Sequence, residues 1–187
     1  TTSFVEGNNV TSTPVAVDSG VTVSDVDNTT LASATVSITG NFHSGEDVLA
    51  FVNDGSTMGN IAASYNAGTG VLTLTSSGAS ATLAQWQAAL RSVTYTDTAI
   101  TPNTATRTIS IIANDGTDPS TAATRTVTVA ATDQTPITTS SGGTTSFVEG
   151  NNVTSTPVAV DGGLTVSDLD NTTLASATVA ITGNSHS

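Results

Sequence analysis

The run Thr1–Asp18 recurs without change as Thr144–Asp161, and the match continues to Ser187. Residues 1–44 and 144–187 differ at five places: Ser19/Gly162, Val21/Leu164, Val26/Leu169, Ser37/Ala180 and Phe42/Ser185. The period is therefore 143 residues. Solenoid repeats run to roughly 20–50 residues, so a period this long belongs to a string of whole domains. The near-identity points to recent duplication and to a parent with many copies. The expected organisation is a complete repeat over 1–135, a linker over 136–143 and the N-terminal third of a second repeat over 144–187. Ser140-Ser141-Gly142-Gly143 is the most linker-like stretch, and Pro136 stops the strand before it, because proline cannot extend a ladder.

Within one period, apolar and polar residues alternate between turn signals. Ala34, Val36 and Ile38 precede Gly40-Asn41; Leu49 and Phe51 precede Asn53-Asp54-Gly55. Val71–Thr75 follows Gly68-Thr69-Gly70, giving a hairpin after Tyr65. Ile109, Ile111 and Ala113 lead through a loop at 114–123 to Val127, Val129 and Ala131. One stretch has a different period. Thr82 and Gln85 have the spacing of a capping box, and Leu83, Trp86 and Leu90 share a helical face, so residues 83–91 read as a short helix. Trp86 reads as a core plug rather than a ligand-stacking platform. About seven short strands, rich in Thr and Val, predict an all-β fold: two packed antiparallel sheets with one short helix.

Charge narrows the partners. The chain has 15 acidic residues against three arginines, Arg91, Arg107 and Arg125, with no lysine and a net charge of −12. Nucleic acid and anionic membrane both need a cationic face, so neither is expected as a partner. Without cysteine there is no disulfide or thiolate metal site, and without lysine no Lys–Asn isopeptide cross-link. No apolar run approaches the roughly 20 residues of a membrane span. The sequence opens inside the repeat pattern, so the lack of a leader carries no information. The composition reads as extracellular.

The residue pattern resembles the cadherin-like repeats of giant bacterial surface adhesins and RTX-type biofilm proteins. Five runs carry the resemblance: Phe4-Val5-Glu6-Gly7, Val23-Ser24-Asp25-Val26-Asp27-Asn28, Trp86 to Tyr95, Arg107 to Gly116, and Ala131-Thr132-Asp133-Gln134-Thr135-Pro136. It implies immunoglobulin-like sandwiches joined end to end, often with Ca²⁺ near the junctions. The family junction often reads Asn-Asp-Ala-Pro, where this chain has Asp133-Gln134-Thr135-Pro136. On the family pattern, Glu6 and Glu149 are ligands near the first strand, and Asp133 is the junction ligand.

Asp25-Val26-Asp27-Asn28 and its copy Asp168, Asp170 and Asn171 have a physical reading of their own. Carboxylates at i and i+2 of an extended segment point to one side and repel unless a cation bridges them. Ca²⁺ accepts six to eight oxygens in irregular geometry, and Asn28 or Asn171 can add another. The alternative is a solvated Asp-rich turn capping a strand. Asp115 and Asp118 lie in an Asn-Asp-Gly turn that accounts for them without metal.

Catalytic readings find little support. His43 and His186 lie at matching polar positions, and no phosphate-binding glycine loop or His-x-x-x-His spacing occurs. Glu46-Asp47 is a carboxylate pair whose members face opposite sides of a strand, which suits acid–base work poorly. No enzyme activity is expected. The leading expectation is an extracellular extender of a large adhesin, partnered by neighbouring repeats or other copies of the chain. One rival is a filament or matrix subunit built by strand exchange. The other is a carbohydrate-binding module, for which seven aromatic residues are few.

Overall fold

A computed structural model describes residues 1–184. Ser185 and His186, the repeat equivalents of Phe42 and His43, lie outside the described residues. The chain divides into two compact units, Thr1–Thr132 and Asp133–Ser187.

Unit 1 contains, in order, β1 (Thr2–Val5), β2 (Val15–Ala16), β3 (Ser33–Gly40), β4 (Asp47–Ala50), β5 (Ile61–Asn66), β6 (Val71–Ser76), α1 (Leu83–Ser92), β7 (Thr94–Asp97), β8 (Arg107–Asn114) and β9 (Ala123–Ala130). One sheet has the order β1-β9-β8-β3-β6-β5 and the other β2-β7-β4. All pairings in unit 1 are antiparallel except β1 with β9, where Thr2 to Val5 run alongside Val127 to Ala130. The expected all-β sandwich with one short helix is the fold observed.

The alternation sets which faces meet. In β3, Ala34, Val36 and Ile38 are buried; they pair across β6 with Leu74 and Leu72 and across β8 with Ala113, Ile111 and Ile109. Phe4 of one sheet meets Tyr95 of the other edge-to-face, ring centres 5.5 Å apart, a geometry that suits aromatic quadrupoles. The helix begins as read: the Thr82 hydroxyl accepts from the Gln85 amide, and the Gln85 side chain accepts from the Thr82 amide. Its Trp86, Ala89 and Leu90 are buried, and the Trp86 indole donates to Leu31 O at 2.9 Å.

The buried face also holds charge. Arg107 occupies the inward parity of Ile109 and Ile111 and is fully buried. Its Nε meets both carboxylate oxygens of Asp47 at 3.0 and 3.1 Å, Nη2 meets Asp97 at 3.1 Å, and Nη1 donates to the carbonyls of Asn103 and Ala105. Asp47 also accepts from the Tyr95 hydroxyl at 2.5 Å and the His43 amide at 2.7 Å. The network ties β4 and β7 of the small sheet to β8 of the large one.

Unit 2 is built differently from the same letters. Its two strands, β10 (Ile137–Thr139) and β11 (Thr165–Ser167), pair antiparallel: Ile137 opposite Ser167, Thr138 opposite Val166, Thr139 opposite Thr165. The division at Thr132 puts Asp133–Thr135, expected in the first repeat, with the second unit, and the stretch expected as linker contributes β10. Ser140 and Ser141 of that stretch bond the Asp161 carboxylate. Phe147, Val160, Val179 and Ile181 are 57%, 77%, 85% and 80% exposed, whereas their equivalents Phe4, Val17, Val36 and Ile38 are 5% exposed or less. The strands that cover these positions in unit 1 have no counterpart in unit 2 among the described residues.

Candidate functional site

The Asp-rich loops fold alike in both copies. In unit 1, Asp25 Oδ1 accepts the amides of Asp27 and Asn28 at 3.2 and 3.0 Å. In unit 2, Asp168 Oδ1 accepts those of Asp170 and Asn171 at 3.2 and 3.1 Å. This is an Asx turn, in which a short carboxylate caps its own backbone. The Asn28 and Asp27 donations hold Asp25 below the ordinary carboxylate pKa of 3.8. At Asp168 partial desolvation pushes upward, but donations from Asp170 and Asn171 outweigh it, and that group too is lowered.

In each loop the asparagine amide stands between carboxylates. Asn28 Nδ2 lies 3.4 Å from Asp27 Oδ1 and 3.1 Å from Asp115 Oδ2. Asn171 Nδ2 lies 3.0 Å from Asp170 Oδ1 and 3.1 Å from Asp133 Oδ1. The third carboxylate thus comes from the β8–β9 loop in unit 1 and from the start of unit 2 in the other case. Asp115 also closes its own turn, accepting from Thr117 and Asp118. Its turn reading and its contact with Asn28 therefore coexist, and sequence spacing had no means of revealing the second. Asp118 bonds Asp115 through its backbone but makes no hydrogen bond to the Asp25–Asn28 loop.

Glu6 lies elsewhere on unit 1. It is 6% exposed, and its Oε2 accepts the Thr132 amide while its carbonyl accepts the Thr132 hydroxyl. Its equivalent Glu149 is exposed. Asp133 and Asn171 are brought together, as are Asp25, Asp27 and Asn28; Glu149 joins neither group.

The donor set is all oxygen, which suits a hard cation such as Ca²⁺ in kind. Each loop offers three carboxylates, and turning the amide over would present Asn28 or Asn171 Oδ1 in place of Nδ2. Among the described residues, however, no three acidic or histidine side chains are drawn into an ion-holding cage. Backbone carbonyls and water would have to complete the coordination.

Sequence reasoning missed the buried Arg107–Asp47–Asp97 group. Parity was the available signal, because an arginine two residues before Ile109 on one strand must face the core. Burial raises the Asp97 pKa above 3.8, with the Ala99 amide opposing and the Asp47 charge reinforcing. A raised carboxylate pKa favours the folded state at low pH and loses that contribution as pH rises through it; the lowered Asp25 does the reverse, losing its contribution as pH falls through its own value. A carbon-detected NMR titration should place Asp97 above 3.8 and Asp25 below it; the opposite order would contradict the two environments.

Comparison with protein-family models, curated proteins and solved structures gave no match. No described helix is long and apolar enough to cross a membrane.

Proposed function

We propose that this chain is an extender segment of a large secreted or surface-anchored bacterial adhesin, made of cadherin-like repeats stabilised by Ca²⁺. The observation that carries the reading is repetition of a domain-length unit in which both copies fold Asp-Xaa-Asp-Asn into the same acidic loop. A chain of net charge −12 gains from any cation that neutralises those loops. Asp25, Asp27 and Asn28 with Asp115 would hold one ion, and Asp168, Asp170 and Asn171 with Asp133 another. Glu6, whose carboxylate accepts the Thr132 amide, would be a ligand at a separate place on unit 1. Bound ions would replace carboxylate repulsion with coordination and fix the loops. The role is structural, with neighbouring repeats as partners. Trp86, fully buried, offers no stacking platform, so the carbohydrate-binding alternative draws no support from it.

Thermal melting tests this. An ion that binds only the folded state adds about 2.7 kcal/mol at a hundredfold excess over Kd, so chelation should lower Tm by several degrees. Asp168→Asn with Asp170→Asn, and separately Asp25→Asn with Asp27→Asn, should each remove part of the difference. Identical melts in Ca²⁺ and in chelator would end the calcium reading.

A further inference from the structure

The two copies display one sequence in two settings. Thr165-Val166-Ser167 is strand β11 because β10 pairs with it. Its equivalent, Thr22-Val23-Ser24, is identical in sequence but joins no strand among the described residues. Thr22–Ser24 instead forms one wall of a surface groove of about 420 Å³. The floor includes Leu31 and Ile111, and Asp25, Asp115 and Thr121 stand at the rim. Val23 is half-buried, its amide donating to the Gln87 side chain, while Thr22 and Ser24 are exposed.

We infer that this groove receives the Asp133–Thr139 segment of another copy of this sequence, which adds a strand to the Thr22–Ser24 edge. Unit 2 supplies the pattern. There, Asp133 Oδ1 accepts from Asn171 Nδ2, the Gln134 amide donates to Asp170 Oδ2 at 3.0 Å, and Ile137–Thr139 pairs with Thr165–Ser167. Every acceptor-side residue has its identical counterpart in unit 1: Asn171 in Asn28, Asp170 in Asp27, and Thr165–Ser167 in Thr22–Ser24. Asn28 Nδ2 donates to Asp115 Oδ2 in unit 1, so the incoming Asp133 takes the place of Asp115 on that amide. The register transfers with them. Thr138 comes beside Val23, with Ile137 and Thr139 beside Ser24 and Thr22. The chain's own Asp133–Thr139 segment is already paired within unit 2, so the occupant is a different copy, either the repeat preceding in a tandem array or a second chain. Strand addition of this kind draws affinity from main-chain hydrogen bonds, with Asp133 and Gln134 fixing the register. Consecutive repeats are then joined by a paired strand rather than a free linker.

The inference does not depend on the calcium reading, but docking brings the Asp133 carboxylate to Asp25, Asp27 and Asp115, so the test is run in Ca²⁺ and in chelator. The ¹⁵N-labelled 187-residue chain is titrated to millimolar excess with a peptide of residues 132–140, which stops short of the place taken by the acceptor's own Thr1. The amides of Thr22–Asn28 and Asp115 should shift and saturate in at least one of the two buffers. A peptide carrying Asp133→Ala and Thr138→Pro, and the Asn28→Ala chain with the native peptide, should each bind about tenfold weaker or less, having lost a charge-assisted bond or a strand donor. Absence of shifts at Thr22–Asn28 in both buffers would overturn the inference. So would equal binding of the substituted peptide. A loss of calcium stabilisation in the melts with these shifts intact would count against the calcium reading alone.

Discussion

Arg107→Ala is expected to cost unit 1 about 3–5 kcal/mol, most of it from what the substitution leaves behind rather than what it removes. Asp47 and Asp97 are each 1% exposed, and Arg107 is the cation that meets both. Without it, two carboxylates remain buried with only the neutral donors: the Tyr95 hydroxyl and the His43 amide on Asp47, and the Ala99 amide on Asp97. The carbonyls of Asn103 and Ala105 lose their donor as well. Arg107→Lys keeps the charge but cannot reach two carboxylates and two carbonyls from one point, so it should recover only part of the loss. Urea melts of the three chains measure the difference. A cost below about 1 kcal/mol for Arg107→Ala would mean that water enters and solvates the two acids, contrary to the packing described. The variant should also lose its upper stability limit at neutral pH first, since protonating Asp97 partly compensates for the missing cation.

Trp86→Ala should be comparably damaging, at about 3–5 kcal/mol, for an apolar reason. The indole is fully buried under Leu31 and the helix, and its deletion leaves a cavity that strands on both sides are too constrained to fill. Trp86→Phe separates the contributions: most of the packing survives, but Leu31 O loses its donor, at about 1–3 kcal/mol. Because Trp86 is the only tryptophan, its emission follows unit 1 alone. It should be blue-shifted in the folded chain and move to the red on unfolding. A red, freely quenched emission in the native protein would remove the basis for both numbers.

These two residues also mark the limits of what the sequence disclosed. The helix was legible because its start is local: Thr82 and Gln85 satisfy each other three residues apart, whatever surrounds them. The hairpins were legible for the same reason, since Asn66–Gly70 and Asn114–Gly116 set turns within a few residues. Arg107 was not, because its partners Asp47 and Asp97 lie 60 and 10 residues away and only the closed sandwich brings them together. Pro136 was read as the stop of the last strand, but β9 already ends at Ala130, and Pro136 instead stands immediately before β10. The Asp-rich loop was legible as a turn, whereas its third carboxylate, Asp115 or Asp133, depends on which segment of chain passes nearby. Val36 and Val179 make the point most directly. They occupy the same place in the same local sequence, yet one is fully buried between β6 and β8 and the other is 85% exposed. Alternation proposes a strand; neighbouring strands decide whether it forms.

The parallel pairing of β1 with β9 has a mechanical consequence. Because the two strands run in one direction, the chain enters the domain at the Thr2 end of the pair and leaves β9 at Ala130, the other end. Pulling the polypeptide from both sides therefore drags β1 and β9 past each other along their length. The rungs from Thr2–Val127 to Val5–Ala130, the Glu6 amide bond to Ala130 and the Thr132 clasp on Glu6 all bear the pull together, rather than opening one after another as the rungs of a peeled hairpin would. Phe4, set in the core from β1, has to be dragged out in the same event. A domain closed in this way resists stretching in a single shear step.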